Sequence, residues 1–157
     1  MNELEAVTVN WRWSPIGDDP WESLLGLDRA GKLVFPSVRS KQPGVYRLLF
    51  LNHSRYDAYI GESADLRRRF QGYRTPHASQ STNIKVNKAL VEHLIVGGAV
   101  EVEIAVGCHA ALSFAGRDHL PLPLDKKANR VLFERAAEAS AASAHHRLLN
   151  WSEPFDL

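Results

Sequence analysis

Gly44-Val45-Tyr46-Arg47-Leu48-Leu49-Phe50-Leu51 is followed, across Asn52-His53-Ser54-Arg55, by Tyr56-Asp57-Ala58-Tyr59-Ile60-Gly61. Residues 45–51 are rich in β formers, and residues 57–61 are a second segment able to pair with them. The four residues between them are turn formers. The stretch therefore predicts an antiparallel hairpin. With a period of two, Tyr46, Leu48 and Phe50 share one face of the first strand. Tyr59 shares a face of the second strand with Asp57 and Gly61, and a suitable register sets the two tyrosine rings side by side.

Toward the C-terminus, Ser63 reads as the N-cap of a helix with Asp65 in its first turn. Leu66 and Phe70 are four apart and predict the buried stripe. Arg69 and Tyr73, also four apart, fall on an adjacent stripe at the margin. A polar loop over 74–83 with Pro76 leads to an amphipathic helix over 83–96, closed by Gly97-Gly98. Residues 100–106 alternate apolar residues with Glu101 and Glu103, the pattern of a third strand with one solvated face. Residues 107–124, with Gly116, Pro121 and Pro123, read as irregular. Asp125 starts the longest helical stretch, which runs to about His146 and places Glu134 and Glu138 one turn apart on one face. Leu148-Leu149-Asn150-Trp151 closes the domain.

Toward the N-terminus, residues 7–13 alternate as a strand or an ordered arm, and Trp11, Trp13 and Trp21 are expected to pack. Asp18-Asp19-Pro20 predicts a turn capping a short helix over 21–27, and residues 27–35 a tight turn feeding a short strand. Residues 1–41 are thus an extension packed on a core domain of residues 42–157. The expected class is α+β, a small three-stranded, mainly antiparallel sheet flanked by helices.

The 157-residue chain is long enough for one domain with a real core. Its net charge of +1 provides no global positive field, so a nucleic-acid contact has to come from a local patch. Arg67, Arg68, Arg69 and Arg74 form one. A lone cysteine, Cys108, excludes an intrachain disulfide and fits a reducing compartment. The acidic, polar N-terminus lacks signal-peptide features, and no apolar run approaches a membrane span. The expectation is a cytoplasmic protein without a membrane partner.

Gly44-Val45-Tyr46 and Tyr59-Ile60-Gly61, with Arg69 ten positions beyond Tyr59 and Tyr73 four beyond Arg69, resemble the GIY-YIG nuclease superfamily over roughly residues 42–150. Val45 stands for the motif isoleucine, and the segment between Arg69 and Glu134 is longer than in compact members. The resemblance implies a metal-dependent endonuclease hydrolysing phosphodiester bonds in DNA. Such chemistry needs an oriented nucleophile, stabilisation of the phosphorane-like charge and neutralisation of the leaving oxygen. By resemblance, Tyr46 is the general base or water positioner, and Tyr59 and Tyr73 position phosphate or share the proton. Arg69 binds the phosphate, as its planar fork suits. Glu134, or alternatively Glu138, holds a magnesium or manganese ion. Arg67, Arg68, Arg74 and His77 are candidate substrate contacts, and Asn150 pins the C-terminus near the site.

Three alternatives stay open beside this reading. Tyr46 and Tyr59 also fit plain cross-strand packing. Glu134 also fits an intrahelical partner of Arg130. The whole also fits a noncatalytic nucleic-acid-binding or scaffold protein, or a nuclease acting on RNA. Cutting both strands of DNA would favour a homodimer.

Overall fold

The computed structural model describes residues 7–16, 23–38, 41–52, 56–107, 110–114, 120–144 and 147–149. The expected hairpin forms its centre. Strand β5 (Gly44–Leu51) pairs antiparallel with β6 (Tyr56–Ser63) over eight residues, with Tyr46 opposite Gly61 and Leu48 opposite Tyr59. On its other edge β5 pairs antiparallel with β7 (Ala99–Val106), again over its whole length. These three strands are the antiparallel core predicted from the alternation. Two two-residue strands widen the sheet: β2 (Ser14–Pro15) on β7, and β10 (Arg147–Leu148) parallel to β6. Segments this short carry no readable period, which is why the sequence pattern stops at three strands. The class is α+β, with three helices among the described residues.

One sheet face carries Tyr46, Leu48, Phe50, Tyr59, Val100, Val102 and Ile104. These pack with Leu66, Phe70 and Tyr73 of helix α1 (Leu66–Arg74) and Val86 and Leu90 of α2 (Ser81–Ile95). The other face carries Val45, Ile60 and Ala105 and is covered by Phe133 and Ala137 of α3 (Lys127–Ser143) with Ala110, Leu122 and Leu124. Trp11 and Trp13 close this second core on Phe133, with ring centroids at 5.4 and 5.7 Å.

Several expectations are corrected. Residues 107–124 are not wholly irregular: β8 (Ala110–Phe114) pairs with β1 (Val7–Trp11), and β9 (Leu120–Pro121) pairs with β8. The partner of β8 lies about a hundred positions away in sequence, so its own short pattern gives no sign of the pairing. Gly26 and Leu27, expected at the end of a helix, form β3 (Gly26–Leu27), which pairs with β4 (Leu33–Val34). The residues at the start of that expected helix, including Trp21, lie outside the described residues. The cap of α1 is Asp65, whose carboxylate accepts from the Arg68 amide at 3.1 Å; Ser63 instead closes a turn through its hydroxyl onto Asp65. Tyr73, expected at the helix margin, is fully buried. Cys108, Asn150, Trp151 and the end of the expected helix at His146 also lie outside the described residues.

Candidate active site

The site is assembled where β5, β6 and α1 meet. Tyr46 and Tyr59 are diagonal neighbours across the hairpin, two register positions apart. Their ring centroids are 6.4 Å apart. Tyr73 rises from α1 to complete a triangle, 6.2 Å from the Tyr46 ring and 6.3 Å from the Tyr59 ring. The Tyr46 and Tyr73 hydroxyls form a short hydrogen bond, and Tyr73 Oη donates to Tyr59 Oη at 3.5 Å. Three buried hydroxyls thus satisfy one another, as buried polar groups must.

The motif glycines make this geometry available. A Cβ on Gly61 would lie 2.6 Å from Tyr46 Cζ, inside any permitted contact. Only a residue without a side chain lets the Tyr46 ring lie over β6. Gly44 plays the same part at the strand start, where a Cβ would meet the Ala105 carbonyl oxygen at 2.7 Å. Phe70 supports the triangle from beneath, edge-on to Tyr46 at 5.3 Å. Phe35 stacks on Phe70 at 4.9 Å with the rings nearly parallel.

Burial pushes the Tyr46 hydroxyl well above its ordinary range; Tyr73 and Tyr59 add to the rise and Arg69 opposes it. Burial, then Tyr73, raises Tyr59 in the same way. Both hydroxyls are therefore protonated at neutral pH and act as hydrogen-bond donors in the resting site.

Arg69 is half-buried beside this cluster. Burial disfavours its charge, Glu62 and any ionisation of Tyr46, Tyr73 or Tyr59 favour it, and the guanidinium is held above its ordinary value and so stays cationic. Arg47, Arg74, Arg130, Arg135 and Arg147 each pair with a carboxylate. Among the described residues, Arg69 has no carboxylate within ion-pair distance. A half-buried guanidinium with no counter-ion among the described residues, close enough to the tyrosine cluster to interact electrostatically, is suited to an incoming anion.

Glu134 comes from α3 and is also half-buried. Burial, with the carboxylates of Glu138 and Glu62, raises it to about 7, against the pull of Arg135 and Arg69. Its field reaches Tyr59 in return. Its neighbour Glu138 is 3% exposed and is ion-paired with Arg135 at 2.9 Å. The two carboxylates thus differ: Glu138 is closed off and paired, whereas Glu134 is half-buried and within electrostatic reach of Tyr59 and Arg69. Arg130, one turn before Glu134, is engaged with Glu62 at 2.6 Å.

The chemistry of this donor set fits magnesium or manganese. Such ions take one or two protein carboxylates and fill their shell with water and substrate oxygens. Among the described residues no group of three or more His, Cys, Asp or Glu side chains converges, as an all-protein cage would require.

The remaining sequence candidates are dispersed. Arg67 and Arg68 are exposed on α1. Arg74 is tied to the β3–β4 hairpin, bonding the Leu33 carbonyl and the Asp28 carboxylate, the latter at 2.9 Å. His77 is exposed in the α1–α2 loop, where its Nδ1 meets the Ser79 hydroxyl at 2.8 Å and accepts from the Ser79 amide at 3.3 Å. Asn150 lies outside the described residues, although Leu149 before it donates from its amide to the Ala58 carbonyl at 2.8 Å. Glu62 was not foreseen: it directly follows the second motif, but its partner is 68 positions away on α3.

No protein-family model and no curated protein matches the chain. Among solved structures, it is similar to a mutant of bacteriophage T4 EndoII, with 20% identity, a TM-score of 0.48, and coverage of 71% of this chain and 82% of that one. Among the described residues, no helix is long and apolar enough to cross a membrane.

Proposed function

We propose that this protein is a metal-dependent endonuclease of the GIY-YIG type, hydrolysing phosphodiester bonds in DNA. The observation that carries the reading is Arg69: half-buried, lacking a carboxylate partner among the described residues, and within electrostatic reach of the hydrogen-bonded Tyr46, Tyr59 and Tyr73 cluster. Arg69 binds the non-bridging oxygens of the scissile phosphate through its fork and stabilises the charge that builds in the transition state. The protonated Tyr46 hydroxyl, held by Tyr73, orients the attacking water, and Tyr59 donates to the phosphate. When bound at Glu134, magnesium or manganese would supply Lewis-acid neutralisation of the leaving oxygen. Arg67 and Arg68, exposed on the outer side of α1, contact flanking phosphates without reading sequence. Arg74 holds the β3–β4 hairpin against α1 and His77 lies in the adjoining loop, so both shape the rim of the DNA path.

The test is cleavage of supercoiled plasmid with magnesium or manganese, wild type beside Arg69→Ala. Metal-dependent nicking or linearisation that falls about a thousandfold in the variant supports the reading; losing one preorganised transition-state donor has effects of that order. Equal cleavage by both proteins overturns the site. DNA binding without cleavage of plasmid or of a matched RNA, at any metal concentration, favours a noncatalytic binding module on the same fold. Cleavage of the RNA alone reassigns the substrate.

A further inference from the structure

Glu62 stands directly after Tyr59-Ile60-Gly61 on β6, and its Oε2 accepts from Arg130 Nε at 2.6 Å. Arg130 is 4% exposed. Its Nη1 also donates to the carbonyls of Leu124 and Asp125, at 2.9 Å each. The guanidinium is therefore fixed by three bonds at the start of α3, one turn before Glu134. Glu62 also interacts electrostatically with Arg69. Two arginines thus compete for one carboxylate, and only Arg130 has it within ion-pair distance.

We propose that Arg130 is a positioning residue that holds Glu62 away from Arg69 and so keeps the Arg69 guanidinium open to a substrate phosphate. The inference rests on the reading of Arg69 as the phosphate-binding group. A mostly buried carboxylate that loses its partner is strongly driven to find another. Arg69 is a cation that already interacts electrostatically with Glu62. The fork that accepts phosphate accepts carboxylate equally well. Without Arg130 the protein would inhibit itself from within, because Glu62 would occupy the place of the substrate. The same tether joins α3 to β6, the helix of Glu134 to the strand of Tyr59.

The test uses two readouts: the Arg69 Nε–H resonance in 15N NMR, and binding of a short DNA duplex in metal-free buffer, followed by fluorescence anisotropy. Arg130→Gln should shift the Arg69 resonance and weaken DNA binding by about tenfold or more, roughly the loss of one charge-assisted contact. Adding Glu62→Gln to that variant should restore the resonance and return the affinity to within about threefold of wild type, since the competing charge is gone. A residue that merely holds the fold would instead show additive damage. An unshifted Arg69 resonance in Arg130→Gln, or a double variant as weak as the single one, overturns the proposal. If Arg130→Gln does not fold, the same comparison is made between Arg130→Lys and Arg130→Lys with Glu62→Gln. Lysine cannot reproduce all three bonds, so a smaller loss in the same direction is expected, and equal affinities overturn the idea. A spectrum that responds as predicted while no form of the protein binds DNA would support the tether and overturn the nuclease reading instead.

Discussion

Tyr46 and Phe133 are both fully buried aromatic side chains, and they sit on opposite faces of one sheet. Phe133 packs against Trp11 and Trp13 in a core whose contact surfaces are apolar. Charge on that face is neutralised in ion pairs: Arg47 pairs with Glu103 and lies over Trp13 at 4.9 Å, and the buried Arg130 and Glu138 pair with Glu62 and Arg135. Tyr46 packs against Phe70, Tyr59 and Tyr73, and this core encloses three hydroxyls beside a cation. Phenylalanine at those three positions would fill nearly the same volume without the desolvation cost of the hydroxyls. One face is therefore organised for stability. The other gives up some stability to hold polar groups in a fixed arrangement, as functional sites do.

The sharpest way to break this contrast is to truncate one side chain on each face. Phe133→Ala should lower stability by about 3–5 kcal/mol, the usual cost of emptying an aromatic core site, with cleavage per folded molecule nearly unchanged. Urea denaturation read beside the plasmid assay checks both halves. Tyr46→Phe should do the reverse. Cleavage is expected to fall about a hundredfold, while stability moves by about 1 kcal/mol or less, since a single net hydrogen bond is worth no more. A Tyr46→Phe protein that cuts at the wild-type rate would reduce the tyrosine triangle to packing.

Gly61→Ala tests whether the site depends on the close approach of the ring to the strand. The added methyl collides with Tyr46. A loss of about 1–3 kcal/mol is expected from overpacking, with Tyr46 ring resonances displaced in the NMR spectrum.

The smallest effect concerns pH. Glu134 is raised from the ordinary carboxylate range to about 7, by burial first and then by Glu138 and Glu62. The folded protein thus holds this proton more tightly than the unfolded chain, so the contribution of Glu134 to stability is greatest below about pH 4.5 and declines as pH rises toward 7. Glu134→Gln removes the liability. After allowance for solvent screening of this half-exposed group, it should be about 1 kcal/mol more stable than wild type at pH 8. No difference is expected at pH 4, and the variant should not cleave. Thermal melts at the two pH values, without added metal, check the sign.

The hairpin was legible because each of its strands carries its own alternation, and the turn residues between them leave little choice of partner. Arg69 and Tyr73 were legible as neighbours one turn apart, but the depth of Tyr73 was not. Leu66 and Phe70 mark the buried stripe by their apolarity. Tyr73 joins it because its hydroxyl finds Tyr46, a contact 27 positions away. Strand β8 was hidden for a related reason: Ala110-Ala111-Leu112-Ser113-Phe114 has little intrinsic β preference and is ordered by β1. The choice between Glu134 and Glu138 also depended on tertiary surroundings. Both lie one turn apart on one helix, and only the packed molecule distinguishes the paired carboxylate from the one within electrostatic reach of Tyr59 and Arg69.

Strand β5 is hydrogen-bonded along both edges, to β6 and to β7, for its full eight residues. Its amides are therefore expected to exchange with solvent only when the whole domain opens. Tyr46 is mounted on this slowest-breathing strand, whereas Arg69 and Glu134 are carried by helices that pack on the sheet from outside. If the proposed nuclease reading holds, any adjustment to an incoming strand of nucleic acid comes from the two helices moving about a stationary tyrosine. How far α1 and α3 can shift sets the range of that adjustment, and relaxation dispersion should find millisecond motion there and none in β5.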